Sequence, residues 1–123
     1  MSVLIDTSVW VDHFKRGNAN LIEILLRDDA LIHPMVLGEL ACGTPPDPRE
    51  RTLGDLALLN PVAQATSEEV LSFVERERLY GLGCGLIDLT LLASTLISPG
   101  VRLWTLDRRL RQLAQRFEVA FNP

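Results

Sequence analysis

The sequence predicts an α/β fold with a central, mostly parallel sheet and helices on both faces. Short apolar segments rich in β-branched residues alternate with helix-periodic segments along the chain. This alternation is typical of parallel strands that are joined by crossover helices. Two apolar segments also run directly into an aspartate, at Asp6 and Asp107. With 123 residues, the chain is expected to form one domain, residues 1–123, around one core.

Local signals place the elements in order along the chain. Strands are predicted at 3–5, 30–32, 62–63, 102–106 and 119–121. Helices are predicted at 8–16, 20–26, 35–42, 49–59, 67 to about 80, 86–97 and 108–117. Gly17 and Gly43 are suited to end the first and third helices. Asp47 and Pro48 suit an N-cap and a first helical position, and Thr66 with Glu69 has the spacing of a capping box.

Composition narrows the class of protein. No window approaches the ~20 apolar residues that a membrane span needs, and no basic leader precedes an apolar segment, so we expect a cytoplasmic protein. Cys42 and Cys84 lack the spacing of a metal site and are expected to be reduced. We therefore expect neither a membrane-spanning segment nor a fold held together by disulfide bonds.

The net charge of −4 hides an uneven distribution of basic residues. Five of the twelve lie in the last quarter of the sequence, at Arg102, Arg108, Arg109, Arg111 and Arg116. A basic surface beside Asp107 would suit a phosphodiester partner, although a solvated amphipathic helix would give the same pattern.

Four acidic residues stand out from their surroundings. Asp6 and Asp107 end predicted strands, and the ends of parallel strands meet at one edge of a sheet. Asp88 lies in a strongly apolar helix, where a carboxylate buried without a partner costs several kcal/mol. Glu39 borders an apolar stripe. The alternatives are helix caps at the three aspartates and an ordinary surface position at Glu39.

Oxygen ligands of this kind favour Mg²⁺ or Mn²⁺ over zinc. Zinc usually recruits histidine or cysteine, and His13 and His33 have no matching spacing. Two cations ~3.5–4 Å apart could activate a water and stabilise the leaving oxygen of a displacement. Ser8 and Thr105 could add hydroxyl groups to the same site, or could be ordinary cap and strand residues.

Four segments, taken together and in order, resemble the PIN-domain nucleases. They are Ile5 to Trp10, Val36 to Leu40, Ile87 to Ala93 and Thr105 to Asp107. Within this family the sequence is most similar to the VapC toxins of bacterial type II toxin–antitoxin pairs, and the resemblance covers essentially the whole chain. It implies a three-layer α/β/α fold, a Mg²⁺- or Mn²⁺-dependent endoribonuclease, a homodimer, and inhibition by a VapB-type antitoxin.

The resemblance also implies residue roles. It gives Asp6, Glu39, Asp88 and Asp107 as catalytic and metal-binding residues, with Thr105 in support. Many relatives carry a further acid shortly after the last one, whereas Arg108 follows Asp107 here. The number of metal ions, one or two, is therefore left open.

The sequence thus predicts a metal-dependent ribonuclease. Arg108, Arg109 and Arg111 are the candidates for RNA binding, and a partner surface is expected from Trp10, Phe14, Leu21 and Leu25. An aspartyl-phosphate phosphatase is a rival, since an aspartate after the first strand could be a nucleophile. Against it, Ser8 stands where such a phosphatase would carry a second aspartate. A receiver domain is disfavoured in the same way, because it would have paired acids beside the first strand. A non-catalytic partner-binding module, whose acids are caps, is the other rival.

Overall fold

The fold is three-layered, with a parallel sheet between helices. The computed structural model describes residues 1–123. The sheet has the order β3-β2-β1-β4, and all three pairings are parallel. Its strands are β1 (Ser2–Ile5), β2 (Ala30–Ile32), β3 (Asn60–Pro61) and β4 (Val101–Trp104). The predicted α/β class is confirmed, and β1, which carries Asp6 at its end, is a central strand.

Seven helices accompany the sheet. They are α1 (Thr7–Arg16), α2 (Ala19–Leu26), α3 (Pro34–Cys42), α4 (Arg49–Ala57), α5 (Ser67–Glu77), α6 (Leu86–Leu96) and α7 (Arg108–Arg116). Each predicted helix is present, with ends that shift by a few residues. No helix is long and apolar enough to cross a membrane.

The core is built around β1 and α6. Val3, Leu4 and Ile5 are almost completely buried, as expected for a strand covered on both faces. Helix α6 is buried without interruption from Leu89 to Thr95. Its buried hydroxyls donate within the helix, for example from Thr95 Oγ1 to the Leu91 carbonyl at 2.8 Å. These bonds satisfy polar groups that would otherwise be costly in the core.

Several predicted ends were wrong for identifiable reasons. The third strand lies at 60–61 rather than 62–63, although the Val62 amide still donates to the Ile32 carbonyl. Helix α5 ends at Glu77 because Arg78 adopts a left-handed conformation, with φ of 55°. Helix α4 begins at Arg49 as predicted, but its N-cap is Pro48 rather than Asp47, no side chain caps it, and it ends at Ala57 rather than at 59. Helix α2 begins at Ala19, where the Asn18 side chain accepts from the Leu21 amide.

Both edges of the sheet are short. The predicted last strand at 119–121 forms only a bridge between Leu103 and Ala120. Two backbone bonds secure it, from the Leu103 amide to the Val119 carbonyl and from the Phe121 amide to the Leu103 carbonyl. At the opposite edge, β3 has two residues, and one of them is Pro61.

The capping box of α5 supports a first prediction. The Glu69 amide donates to Thr66 Oγ1 at 3.1 Å, and the Thr66 amide donates to Glu69 Oε1 at 2.9 Å. Thr66→Ala removes the acceptor of one helix-end amide and should lower the free energy of unfolding by about 1 kcal/mol. Urea denaturation would measure it, with Ser67→Ala as the control. Equal effects of the two changes would contradict the role of the cap.

Candidate active site

Asp6 is the buried acid of the candidate site. It follows β1, and only 4% of its surface is exposed. It occupies the N-cap position of α1, but its side chain makes no capping bond. Instead, Asp6 Oδ2 accepts from Ser8 Oγ and from Thr105 Oγ1, both at 2.7 Å. The capping alternative is therefore wrong for this side chain, which points toward the end of β4.

Ser8 and Thr105 connect the ends of β1 and β4. Each hydroxyl donates to Asp6 and accepts from a backbone amide of the turn after β4. Ser8 Oγ accepts from the Leu106 amide at 2.9 Å, and Thr105 Oγ1 accepts from the Asp107 amide at 3.0 Å. Thr105 has thus left the strand, which explains why β4 ends at Trp104. The two hydroxyls fix both the orientation of Asp6 and the start of the next acidic segment.

Asp107 is the exposed acid at the N-terminus of α7. Its Oδ1 accepts from the Leu110 amide at 2.9 Å, so the capping alternative is confirmed here. No hydrogen bond to the second carboxylate oxygen, Oδ2, is present in the structure. One oxygen therefore anchors the helix while the other is available to a ligand.

Glu39 is held by a residue that sequence reasoning did not identify. It lies exposed on α3, and its Oε1 accepts from Thr7 Oγ1 at 2.6 Å. The start of α3 is fixed by His33, whose Nδ1 accepts from the Met35 amide at 3.0 Å. Thr7 lies next to Asp6 in sequence, but only the fold brings it to Glu39, 32 residues further along the chain.

Asp88 is the half-buried acid of the first turn of α6. Because the helix begins at Leu86 with Gly85 as its N-cap, the alternative of a later helix start at Asp88 is wrong. Burial is the main cause that raises the pKa of Asp88, and the charge of Asp6 comes next. The carboxylates of Asp107 and Glu39 raise this pKa further, while a hydrogen bond from the Gly85 backbone opposes the shift. All four predicted acids are therefore close enough to interact.

The donor chemistry of this cluster suits a hard divalent cation, since every group is a carboxylate or hydroxyl oxygen. No set of three or more histidine, cysteine, aspartate or glutamate side chains has closed to coordinating distance in the structure. Hydrogen bonds hold Glu39 and one oxygen of Asp107 in other directions. The chemistry of these residues fits such an ion. In the structure, however, Glu39 and Asp107 each make a hydrogen bond to another residue of the protein.

The three arginines proposed for RNA binding lie at the first turns of α7. Arg108, Arg109 and Arg111 are exposed, and none of them takes part in a salt bridge of the structure. Arg108 and Arg109 line a recess of about 440 Å³ together with Asp107, while Arg111 lies outside it. The fold thus brings two of the three arginines to the rim of the acidic cluster.

The predicted partner surface needs correction. Trp10 and Leu21 are 2% and 0% exposed, so both belong to the core of this chain and offer no surface. Phe14 and Leu25 are partly buried and pack against the core. On α2, the side chains that do face outward are Ile22 and Leu26. At Leu21 the error arose because α2 is apolar nearly all round, so its sequence does not reveal which side is covered.

The sequence is similar to those of known proteins along nearly the whole chain. The family model of the PIN domain matches residues 3–116. Two relatives are ribonuclease VapC32 of Mycobacterium tuberculosis strain CDC 1551 / Oshkosh and of strain ATCC 25618 / H37Rv. Each is 42% identical over 118 residues, which are 96% of this chain and 94% of the relative. The chain therefore belongs to the PIN domain family and is a VapC-type member of it.

Proposed function

We propose that the protein is a Mg²⁺- or Mn²⁺-dependent endoribonuclease that acts as the toxin of a toxin–antitoxin pair. The observation that carries the proposal is Asp6, a buried carboxylate with hydroxyl partners and no cationic side chain, whose charge acts together with those of Asp107 and Glu39 on Asp88. A cluster of this kind is costly to fold unless it serves a ligand. The ribonuclease name of the relatives supports RNA as the substrate.

The side chains would divide the work as follows. Asp6, Glu39, Asp88 and Asp107 would hold the cation, which supplies an activated water and charge stabilisation when bound. Ser8 and Thr105 keep Asp6 oriented through their two hydrogen bonds. Arg108, Arg109 and Arg111 would bind RNA phosphates, since the guanidinium group matches phosphate geometry.

Two other functions receive less support. A phosphatase that forms an aspartyl-phosphate needs an accessible nucleophile, and Asp6 is buried with Ser8 bonded to it. A partner-binding module whose acids are caps agrees with Asp107, but Asp6 makes no capping bond. Cleavage of RNA that depends on metal would separate the nuclease from both.

The partners belong to the same proposal. We infer a VapB-type antitoxin, a homodimer and action in the cytoplasm from the VapC-type membership of the chain. Phe14 and Leu25 remain candidates for a partner surface, because each keeps part of its side chain exposed. The apolar side chains of Ile22 and Leu26, at 45% and 83% exposure, are better placed for contact with another protein.

Removal of any acid should abolish most cleavage. Asp6→Asn, Glu39→Gln, Asp88→Asn and Asp107→Asn each delete a charge that the cation needs. Incubation of mixed structured RNAs with Mg²⁺, Mn²⁺ or chelator would measure the loss. Glu75→Gln, an exposed acid of α5, is the matched control and should cleave as wild type. Full activity of Asp6→Asn or Asp88→Asn would refute the site.

The raised pKa of Asp88 makes a prediction about stability. A folded pKa above the unfolded value means that this carboxylate costs stability above its folded pKa, and that the cost disappears below the unfolded pKa. Without metal, Asp88→Asn should therefore melt no lower than wild type near neutral pH, because it removes a charge that burial and the neighbouring carboxylates make costly. Divalent metal should raise the melting temperature of wild type, since only the folded state binds it, and should leave the variant nearly unchanged.

Thermal melts over a range of pH, with metal and with chelator, would decide this point. The gain from metal should shrink as the pH falls and the carboxylates become protonated. Glu75→Gln again serves as the control for loss of one surface charge. A metal-free Asp88→Asn protein that melts far below wild type, together with a wild type that ignores metal, would show that Asp88 is structural.

RNA binding should depend steeply on salt. Each phosphate contact that is lost should reduce the slope of log affinity against log salt by ~0.7 for single-stranded RNA. Replacing Arg108 and Arg109 together by alanine should flatten the slope, as measured by anisotropy of a labelled RNA. The matched control is the double variant Arg76→Ala/Arg116→Ala, which also removes two positive charges. Both of these arginines pair with Glu77. An unchanged slope in the first variant would assign the α7 arginines another role.

A further inference from the structure

The glycine loop before α6 packs against the first turn of α7. Gly81 and Gly83 both have positive φ, at 72° and 85°. A Cβ atom at Gly81 would meet nothing within 4 Å. A Cβ atom at Gly83 would lie 2.5 Å from Arg109 Nη1, 2.7 Å from its Cδ and 2.8 Å from its Cζ. The Arg109 side chain therefore lies directly on the backbone at Gly83, in space that any other residue would fill.

Arg109 lies beside the acids in this position. The recess of about 440 Å³ is lined by Gly83, Asp107 and Arg109 among others. The pKa of the Cys84 thiol indicates that these groups lie close together. Burial raises this pKa most, the charges of Asp88 and Asp107 raise it further, and the charge of Arg109 lowers it. Arg109 nevertheless takes part in no salt bridge of the structure. A positive group thus stands next to the acidic cluster without being neutralised by it.

This arrangement separates Arg109 from its neighbours. Arg108 lines the same recess, but the three atoms nearest to the Cβ position of Gly83 all belong to Arg109, and Arg111 lies outside the recess. A flexible arginine loses conformational entropy when it binds a ligand, and one that is already held in place loses less. Donors that are oriented in advance toward a charged group also contribute most to catalysis.

We propose that the absence of a side chain at Gly83 leaves room for the guanidinium group of Arg109 in the recess beside Asp107, where Arg109 binds the RNA phosphate group that lies at the acidic site. Gly83 is the positioning residue, and Arg109 is the group that contacts the substrate. The inference rests on the proposed nuclease function, because the ligand of the recess is taken to be the phosphate that the acids act on.

Gly83→Ala tests the positioning role, with Gly81→Ala as its matched control. Both changes place alanine at positive φ, which costs stability in either case. Only the change at Gly83 pushes the Arg109 side chain away. The set is completed by Arg109→Ala, Arg108→Ala and the double variant Gly83→Ala/Arg109→Ala. In the double variant the three nearest atoms to the new Cβ are gone, so the clash is relieved.

Three measurements would be made on each protein. Cleavage of mixed RNA with Mg²⁺ or Mn²⁺ gives kcat and KM. Anisotropy of a short, labelled single-stranded RNA in the presence of chelator gives affinity without turnover. Thermal melts show whether the two glycine variants share the same loss of stability.

Arg109→Ala should lower kcat roughly 10²-fold, the usual effect of removing one oriented donor. Gly83→Ala should lower kcat by about tenfold or more and weaken RNA binding in chelator, since the displaced donor is no longer oriented. Gly81→Ala should match wild type in both assays and match Gly83→Ala in melting temperature. The double variant should resemble Arg109→Ala alone, and Arg108→Ala should lose less kcat than Arg109→Ala.

The proposal is overturned if Gly83→Ala cleaves and binds RNA as Gly81→Ala does. It is also overturned if Arg109→Ala and Arg108→Ala lose kcat equally, or if the effects of Gly83→Ala and Arg109→Ala simply add. A wild type that cleaves no RNA with either metal would refute the nuclease function. Binding in chelator would then still show whether Gly83 orients Arg109 toward RNA.

Discussion

The buried carboxylate of Asp6 is the constraint on which the site depends. A charged group with so little exposure needs strong partners, and here the partners are two hydroxyls that approach the same oxygen. One of them comes from the helix that follows Asp6, and the other comes from Thr105, which follows β4 and lies 99 residues away in sequence. Each hydroxyl also accepts a hydrogen bond from a backbone amide of the turn after β4. The two hydroxyls that stabilise buried Asp6 therefore also fix the turn that positions the next acid, Asp107.

Some residues at helix ends are also residues of the candidate site. The sequence alone therefore could not distinguish a capping role from metal binding. Asp107 caps α7 with one oxygen and keeps the other free of protein bonds. Asp88 lies in the first turn of α6, where burial and the charges of the other carboxylates raise its pKa. The positive end of a helix favours such acids in either role. A cap and a ligand are therefore compatible functions of one aspartate.

Much of the fold could be predicted because its signals are local. The apolar run of β1, Gly17 after α1 and the Thr66–Glu69 capping box depend only on neighbouring residues. The four acids were proposed as one candidate site because two of them follow strands whose ends meet at one edge of the sheet, and because of the family resemblance. The bond from Thr7 to Glu39 and the packing of Arg109 on Gly83 could not be predicted, since they depend on the distance between elements. The burial of Trp10 and Leu21 could not be predicted for the same reason, and at Leu21 the apolar residues on nearly all sides of α2 gave no sign of which side is covered.

The short edges of the sheet have a consequence for the behaviour of the free protein. A long, unpaired edge strand is a template on which another chain can add a strand, and this is a common route to aggregation. Here one edge consists of two residues, one of them a proline without an amide hydrogen, and the other is covered by the bridge to Ala120. Self-association through strand addition is therefore disfavoured at both edges.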